Sequence, residues 1–241
     1  MDAMEVARVV IRYLQFEEQL LDFLRHVPPQ GENLKAWSPT VATVIKESCG
    51  LLESLLKRIS PATVRVGTER RKRKDLKIKD LAVTYAKILG LTRWKVILLF
   101  HPPEYRTPFH VWEPFLAGRP FKPPHWWTTH NHLKHDEISA MHQATADTAL
   151  NALAGLLLTI AAVPQMTRGL MQADLIHWDN VRPDTVVTWA LGGFPQQRPV
   201  IVKTKLFAVI LGGRPLPDNI IDFRPLAHAR SRLLVTYFDR S

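Results

Sequence analysis

Apolar residues recur at helical spacing through most of the first 165 positions of this chain. Between residues 5 and 26 they lie three and four positions apart, the period of an amphipathic helix. A second pattern of this kind begins at Ser38-Pro39 and ends before Pro61. Serine is suited to cap a helix and proline to occupy its first position. The pattern therefore predicts two long helices at the start of the chain.

Further helices are predicted in the middle of the chain. Residues 78–89 are typical of a short helix closed by Gly90, and residues 94–100 form an apolar run of strand or loop type. Thr145 can cap an apolar helix that continues to Val163. No charged residue occurs from 148 to 167, but polar residues dilute this stretch and its apolar core is too short to span a bilayer. We therefore predict a fully buried helix and no contact with a membrane.

Proline and β-branched residues mark two other regions. Residues 101–124 hold seven prolines with aromatic residues between them, which predicts an ordered, extended segment pinned to a surface by its rings. Beyond residue 174, strands are predicted at 186–191, 200–211 and 233–238, with Gly192-Gly193 and Gly212-Gly213 at turn positions.

The predicted fold class is mainly α. A helical bundle over 1–165 precedes a small α+β extension over 166–241, with the boundary near 165–175.

Composition adds charge to this picture. The 241 residues carry a formal net charge of +10, which favours nucleic acid or another polyanion as partner. Cations are concentrated at 63–79, a segment interpreted as a phosphate-gripping loop, a solvated linker or a nuclear import signal. As a phosphate contact it would add sequence-independent affinity that weakens with salt. The candidate nucleic-acid-binding residues are Arg70, Arg71, Lys72, Arg73, Lys74 and Lys77.

Cysteine usage and absent motifs restrict the remaining chemistry. Cys49 is the only cysteine, so a disulfide framework and a cysteine zinc site are both excluded. The acidic N-terminus lacks the order of a signal peptide, and together these features predict a reducing, cytoplasmic location. Phosphate-binding glycine loops, dinucleotide-binding motifs and a nucleophile elbow are all missing from the sequence. We predict no cofactor.

The most informative segment is the eleven residues from Trp126 to Asp136, which contain two indoles, three imidazoles, an amide and an ammonium group. On a predicted helix from about 125 to 137, Trp127, Asn131 and His135 fall on one stripe at i, i+4 and i+8. A core stripe would be aliphatic, and a solvated stripe would not carry tryptophan. The function is therefore predicted to reside here.

These residues resemble a set of uncharacterised bacterial helical proteins. Their pattern is Trp-Trp-x-x-Tyr-Asn-x-x-Lys-His-Asp-Arg, followed by Ala-Thr and an Ala-Gly-Leu helix. The matching residues here are Trp126-Trp127, Asn131, Lys134-His135-Asp136, Ala144-Thr145 and Ala154-Gly155-Leu156, with His130 at the tyrosine position. Trp37-Ser38-Pro39, Glu47–Glu53 and Pro114-Phe115 are similar to upstream parts of the same set. The resemblance covers about residues 1–165.

That set in turn resembles the HEPN superfamily of helical bundles, whose active members are metal-independent endoribonucleases. The resemblance implies a HEPN-like bundle, a homodimer, and a role in toxin or antiphage defence. In the superfamily signature an arginine precedes a polar residue, three further residues and the catalytic histidine. Asn131 matches the polar position and His135 the histidine, whereas the arginine position is occupied by His130.

The chemistry of RNA cleavage without a metal agrees with these residue types. A base must take the 2′-hydroxyl proton, an acid must protonate the leaving oxygen, and cations must stabilise the phosphate. Imidazoles titrate near neutrality and can fill both proton-transfer roles. The site is therefore predicted as His135 for acid or base, Asn131 to orient it, and Lys134 with His130 on phosphate. His130 would be a weaker, pH-dependent phosphate contact than arginine.

Other interpretations of the same residues stay open. His135 can be a half-buried histidine paired to Asp136 or to backbone, with both tryptophans as lids over the core. RNA or nucleotide can bind without being cleaved. His132 with His135 or Asp136 has the spacing of a weak metal site, although no further ligand motif joins them. A rival function is a catalytically inactive scaffold or sensor whose dimer face and C-terminal extension hold protein partners.

Overall fold

The computed structural model describes residues 1–100, 103–177 and 200–211 of the chain. Within these ranges the protein is mainly helical with a small sheet-containing part. The helices are α1 (Ala3–His26), α2 (Pro39–Ile59), α3 (Ile78–Tyr85), α4 (Glu113–Leu116), α5 (His125–His135), α6 (Glu137–Ala140), α7 (Ala146–Ala162) and α8 (Thr167–Gln172). Short 3-10 turns, such as Gly31–Lys35 and Arg73–Asp75, lie between them.

Helix α7 forms the centre of the core. Fifteen of its seventeen residues are buried, and α1, α2 and α5 all pack against it. Among the described residues no single helix has the length and apolar character to cross a bilayer, although α7 and Pro164–Gln172 meet that criterion as a pair bent by 88°. The prediction of a fully buried helix from Thr145 to Val163 is confirmed.

The predicted helix starts are confirmed by the caps that carry them. The Ser38 side chain accepts a hydrogen bond from the Val41 amide at 3.2 Å, with Pro39 at the first helical position. The Thr145 hydroxyl accepts one from the Thr148 amide at 3.3 Å. Helix α3 is shorter than predicted, because turns replace its last residues before Gly90, whose φ is +62°.

The basic segment is not the loop or linker that its charge density predicts. Strands β1 (Thr63–Val66) and β2 (Glu69–Lys72) form an antiparallel hairpin, with Gly67 in the left-handed region at φ +61°. Val64 is buried on the side facing the bundle. Buried and exposed positions alternate over only the four residues of β1, which is too short a pattern to predict a strand among so many Lys and Arg residues.

Five strands from both halves of the chain form one sheet. Its order is β4 (Glu104–Arg106), β3 (Val96–Leu98), β7 (Phe207–Leu211), β6 (Val200–Lys203) and β5 (Ile176–His177), with every pairing antiparallel. The single strand predicted over 200–211 is wrong, since a turn divides it at Thr204, whose amide donates to the Phe207 carbonyl at 2.8 Å. Hydrogen bonds between β3 and β7 thus join the described part of the extension to residues of the first half.

A buried carboxylate joins the same turn to helix α1. Glu17 is 1% exposed, and its Oε1 accepts hydrogen bonds from the Leu206 amide at 3.0 Å and from the Thr204 and Tyr13 hydroxyls. Its Oε2 accepts from the Lys205 amide at 3.4 Å. Burial raises the pKa of Glu17 above its usual value, and the donors oppose that shift.

The described part of the proline-rich segment, residues 103–124, is ordered and held by aromatic rings, as its composition predicts. Phe109 and Trp112 are fully buried with ring centroids 4.6 Å apart, and Phe121 packs beside Trp112 at 6.5 Å. The segment is not extended throughout, because a 3-10 turn (His110–Trp112) and helix α4 (Glu113–Leu116) interrupt it. The predicted strands at 186–191 and 233–238, and both glycine pairs, lie outside the described residues.

Candidate functional site

Helix α5 divides the predicted site between its two faces. Trp126, Thr129, His130 and Leu133 are buried along one stripe, and Trp127 lies at its edge with only 4% exposure. Asn131, Lys134 and His135 are exposed. The stripe predicted to run from Trp127 to His135 therefore starts in the core and ends at the surface. We call Asn131, Lys134 and His135 the α5 polar face.

The position of α5 depends on a close approach to α7. The Trp126 indole donates to the Pro108 carbonyl at 3.1 Å, and its ring packs edge-on against Phe109 at 5.7 Å. Gly155 of α7 makes room for this group, because a Cβ there would lie 3.2 Å from Trp126 Cζ2. The Ala-Gly-Leu element of the sequence pattern thus has a structural role in placing α5.

Two glycines in long helices provide a matched test of that role. Gly155→Ala is expected to be less stable than Gly50→Ala by about 1–3 kcal/mol, because its new methyl group would crowd Trp126 and offset the gain in helix propensity. Gly50→Ala in α2 is expected to stabilise the protein by about 0.5–1 kcal/mol, because nothing lies within 4 Å of that Cβ position. Urea denaturation of both variants measures the difference. Equal effects at the two positions would show that α5 tolerates displacement from α7.

The α5 polar face is open to solvent. The side chains of Asn131, Lys134 and His135 make no hydrogen bond or ion pair with any described residue, so their functional groups are available to a ligand. His135 is exposed and is not buried under either tryptophan. The basic residues of the last turn, His132, Lys134 and His135, also suit the negative end of the helix dipole, so their position has a structural explanation as well.

His130 is held on the opposite side of the helix, under Trp127. It is 8% exposed, the two ring centroids lie 5.3 Å apart, and its Nδ1 is buried without a hydrogen-bond partner among the described residues. Burial lowers the pKa of His130 below 6.5, Lys134 and Lys46 lower it further, and Glu53 opposes them. A neutral ring in this environment offers little positive charge to a phosphate.

This environment makes folding stability depend on pH. Below about pH 6.5 the unfolded chain binds a proton that folded His130 still excludes, so stability falls as the pH drops through that window. We expect the wild type to lose more unfolding free energy between pH 7.5 and 5.5 than His130→Gln, with Lys134→Gln in between. Urea denaturation at both pH values measures this. Equal losses in wild type and His130→Gln would contradict the burial of an uncharged ring.

The neighbouring polar residues of α5 have structural partners. His132 Nδ1 lies 2.7 Å from Gln143 Oε1, and Asp136 caps helix α6 by accepting from the Ser139 amide at 3.2 Å. The Ser139 hydrogen bonds lower the pKa of Asp136. Within the described ranges no group of three His, Cys, Asp or Glu side chains is arranged to hold a metal ion.

The basic side chains of the β1–β2 hairpin are divided between its two faces. In its register Arg65 is opposite Arg70 and Thr63 is opposite Lys72, so these side chains share the outward side of the ribbon. All four are exposed, and no acidic residue pairs with Arg65, Arg70 or Lys72 among the described residues. Like charges directly opposite each other destabilise a hairpin, and a polyanion would relieve that repulsion. We call Arg65, Arg70 and Lys72 the basic face.

Arg71 points the other way and is already paired. Its Nη1 donates to both Asp80 oxygens, at 3.0 and 2.9 Å, and its Nη2 to Glu69 at 2.8 Å. Asp80 is 3% exposed and also accepts from the Lys77 amide at 2.9 Å, which fixes the start of α3. Hydrogen bonds from Arg71 to Glu69 and Asp80 raise the pKa of Arg71 further. Sequence alone does not separate Arg71 from Arg70, because only strand register does so.

Helix α2 lies between the basic face and the α5 polar face. Lys57 Nζ donates to the Lys74 carbonyl at 3.2 Å, next to the hairpin, while Lys46 pairs with Glu137 at 2.7 Å, next to the end of α5. These two lysines are eleven residues apart, about 16 Å along the helix axis. Lys74 and Lys77 are exposed and Arg73 is partly buried on the segment that follows β2.

Comparison with known proteins adds no analogue for this arrangement. No family model, curated protein or solved structure matches the chain. The function therefore has to be inferred from the chain's own residues.

The structure brings Asn131, Lys134 and His135 together on one surface and separates His130 from them. It also adds Arg65 to the candidate nucleic-acid-binding residues. The sequence places Arg65 within the basic segment 63–79, but only the strand register puts it opposite Arg70.

Proposed function

We propose that this protein is an RNA-directed, HEPN-like module. The observation that carries this proposal is the basic face of the β1–β2 hairpin, where three cations share one exposed side without an acidic partner among the described residues. Such a surface suits a phosphate backbone, which Lys and Arg bind without regard to sequence. The net charge of +10 adds long-range attraction to the same partner.

The α5 polar face supports a cleavage reaction on bound RNA. His135 is an exposed imidazole that can accept or donate a proton, Asn131 lies one helical turn before it, and Lys134 is a free cation for the phosphate. A single copy offers only one such histidine on this face. We propose that two copies pair so that a second His135 supplies the complementary acid or base. The pair would act as a metal-independent endoribonuclease in toxin or antiphage defence.

One observation favours a second candidate, a catalytically inactive scaffold or sensor. His130 stands where the HEPN pattern has arginine, and it is buried and uncharged near neutral pH. In the cleavage proposal Lys134 is therefore the cation of the α5 polar face that contacts the scissile phosphate. In the scaffold proposal the same bundle binds RNA or protein partners without chemistry.

Cleavage of labelled single-stranded RNA and transfer RNA in EDTA separates the two. We expect the wild type to leave a 2′,3′-cyclic phosphate, and His135→Ala to reduce the rate by about 10²- to 10⁴-fold, as expected for losing an acid or base. His125→Ala is the control, because His125 is exposed at the opposite end of the same helix. RNA binding without cleavage would support the scaffold, and absence of both would contradict the proposed function.

A further inference from the structure

Trp37 is the part of the Trp37-Ser38-Pro39 pattern that the fold does not explain. Ser38 caps α2 and Pro39 begins it, but the Trp37 side chain is 53% exposed. Trp94, Trp112, Trp126 and Trp127 are all at least 92% buried. The Trp37 indole makes no ring contact and no hydrogen bond with any described residue. The exposed indole is therefore a flat apolar surface that a ligand can reach.

The backbone that presents this indole is firmly held. Trp37 forms a β-bridge with Thr145, and the Ala146 amide donates to the Ala36 carbonyl at 2.8 Å. These residues lie at the starts of α2 and α7, the two helices with the most extensive mutual packing. The indole therefore projects from a rigid base, and little backbone entropy is lost when a flat ligand stacks on it.

A short series of contacts leads from Trp37 to the α5 polar face. Thr145, the bridge partner of Trp37, donates its amide to the Gln143 carbonyl at 2.9 Å. The Gln143 side chain in turn lies 2.7 Å from His132, the residue after Asn131 on α5. These contacts place threonine, glutamine and histidine between Trp37 and the last turn of α5. The core of a protein–protein interface would be apolar instead.

We propose that Trp37 is a stacking platform for an unpaired base of RNA whose phosphates contact the α5 polar face. This inference rests on the proposed function and names a base-recognition point for it. Exposed aromatic rings beside cations are how single-stranded nucleic acid is bound without sequence preference, because every base offers a flat face. The first turn of α2 has no acidic residue that would repel the strand beside the indole.

Two oligonucleotides isolate the stacking contact. One is a fluorescein-labelled 12-nucleotide oligouridylate, and the other is the same ribose-phosphate chain without bases. We expect wild type to prefer the base-bearing strand in fluorescence anisotropy, and Trp37→Ala to lower that affinity by about 5- to 100-fold. Affinity for the abasic strand should not change. Trp37→Phe should retain most of the preference, and Ile138→Ala, which removes another exposed apolar side chain, should retain all of it.

The outcomes distinguish this inference from the proposed function. Wild type that binds both strands equally, or Trp37→Ala that binds oligouridylate as tightly as wild type, overturns the stacking role and leaves RNA binding intact. Wild type that binds neither strand overturns the proposed function together with the inference. If Trp37→Ala keeps both affinities but dissociates a homodimer in analytical ultracentrifugation, the indole is a protein contact and the inference is wrong.

Discussion

Replacing Glu17 with alanine is expected to lower the free energy of unfolding by about 3–5 kcal/mol, because several buried donors share this one carboxylate. The carboxylate accepts hydrogen bonds from Tyr13 on α1 and from Thr204 and Leu206 in the turn between β6 and β7. These donors are buried, and the Leu206 amide would be left without an acceptor, while the Thr204 hydroxyl would keep only its longer contact to the Phe207 carbonyl, at 3.3 Å. An orphaned buried donor costs about 1–3 kcal/mol.

The adjacent residue supplies the control. Glu18 is partly exposed, and its ion pairs with Arg25 and Lys205 are in contact with solvent. Because exposed ion pairs contribute about 0–1 kcal/mol, Glu18→Ala should change stability by no more than that. Urea denaturation of both variants decides the matter. A loss below about 1 kcal/mol for Glu17→Ala would show that the sheet is not anchored to α1 through this carboxylate.

Removing the basic face is expected to have the largest effect on RNA affinity. The variant Arg65→Ala/Arg70→Ala/Lys72→Ala should bind single-stranded RNA about 100-fold more weakly at about 50 mM salt, because three phosphate contacts are lost. The dependence of log K on log salt should become shallower by about 2, since each contact contributes about 0.7 on a single strand. Titrations at several salt concentrations measure both quantities.

The control for this variant removes the same charge from elsewhere. Arg8, Arg25 and Arg119 are exposed cations outside the hairpin and α5, and their triple alanine variant also changes the net charge by three. It should reduce affinity only slightly, through weaker long-range attraction. Equal losses in both triple variants would mean that overall charge, and not the basic face, determines RNA binding. Circular dichroism of the hairpin variant checks that the fold is retained.

The helical part of the fold could be predicted because its signals are local. Ser38 and Thr145 cap their helices as expected, and the ion pair of Glu53 and Lys57, at 2.8 Å, has the spacing that stabilises α2. Strand pairing is not local in the same way. Val96 pairs with Val209, more than a hundred residues away, and no pattern near either residue indicates its partner. The sheet therefore could not be derived from the sequence.

The residue types of the candidate site and their helical spacing could be predicted from the sequence, but which of them are buried could not. Helical spacing placed Asn131 and His135 on one stripe, but the choice of buried face was decided by the packing of Trp126 against Pro108 and Gly155. That packing turned His130 inward. Glu17 did leave a signal, since it falls on the apolar face of α1 between Tyr13 and Leu20, where a charged residue requires partners. Its partners in the turn at Thr204 lay too far along the chain to be foreseen.

The most direct test of RNA binding by the basic face and the α5 polar face is a map of where RNA touches the full chain. Single-stranded RNA containing 4-thiouridine would be photo-crosslinked to the wild-type protein, and the crosslinked peptides identified by mass spectrometry. We predict crosslinks in β1–β2 and in α5, joined across the surface of α2, and their loss from the hairpin in the Arg65/Arg70/Lys72 variant. Crosslinks confined to other surfaces, or none at concentrations where the protein binds RNA, would contradict the proposed function.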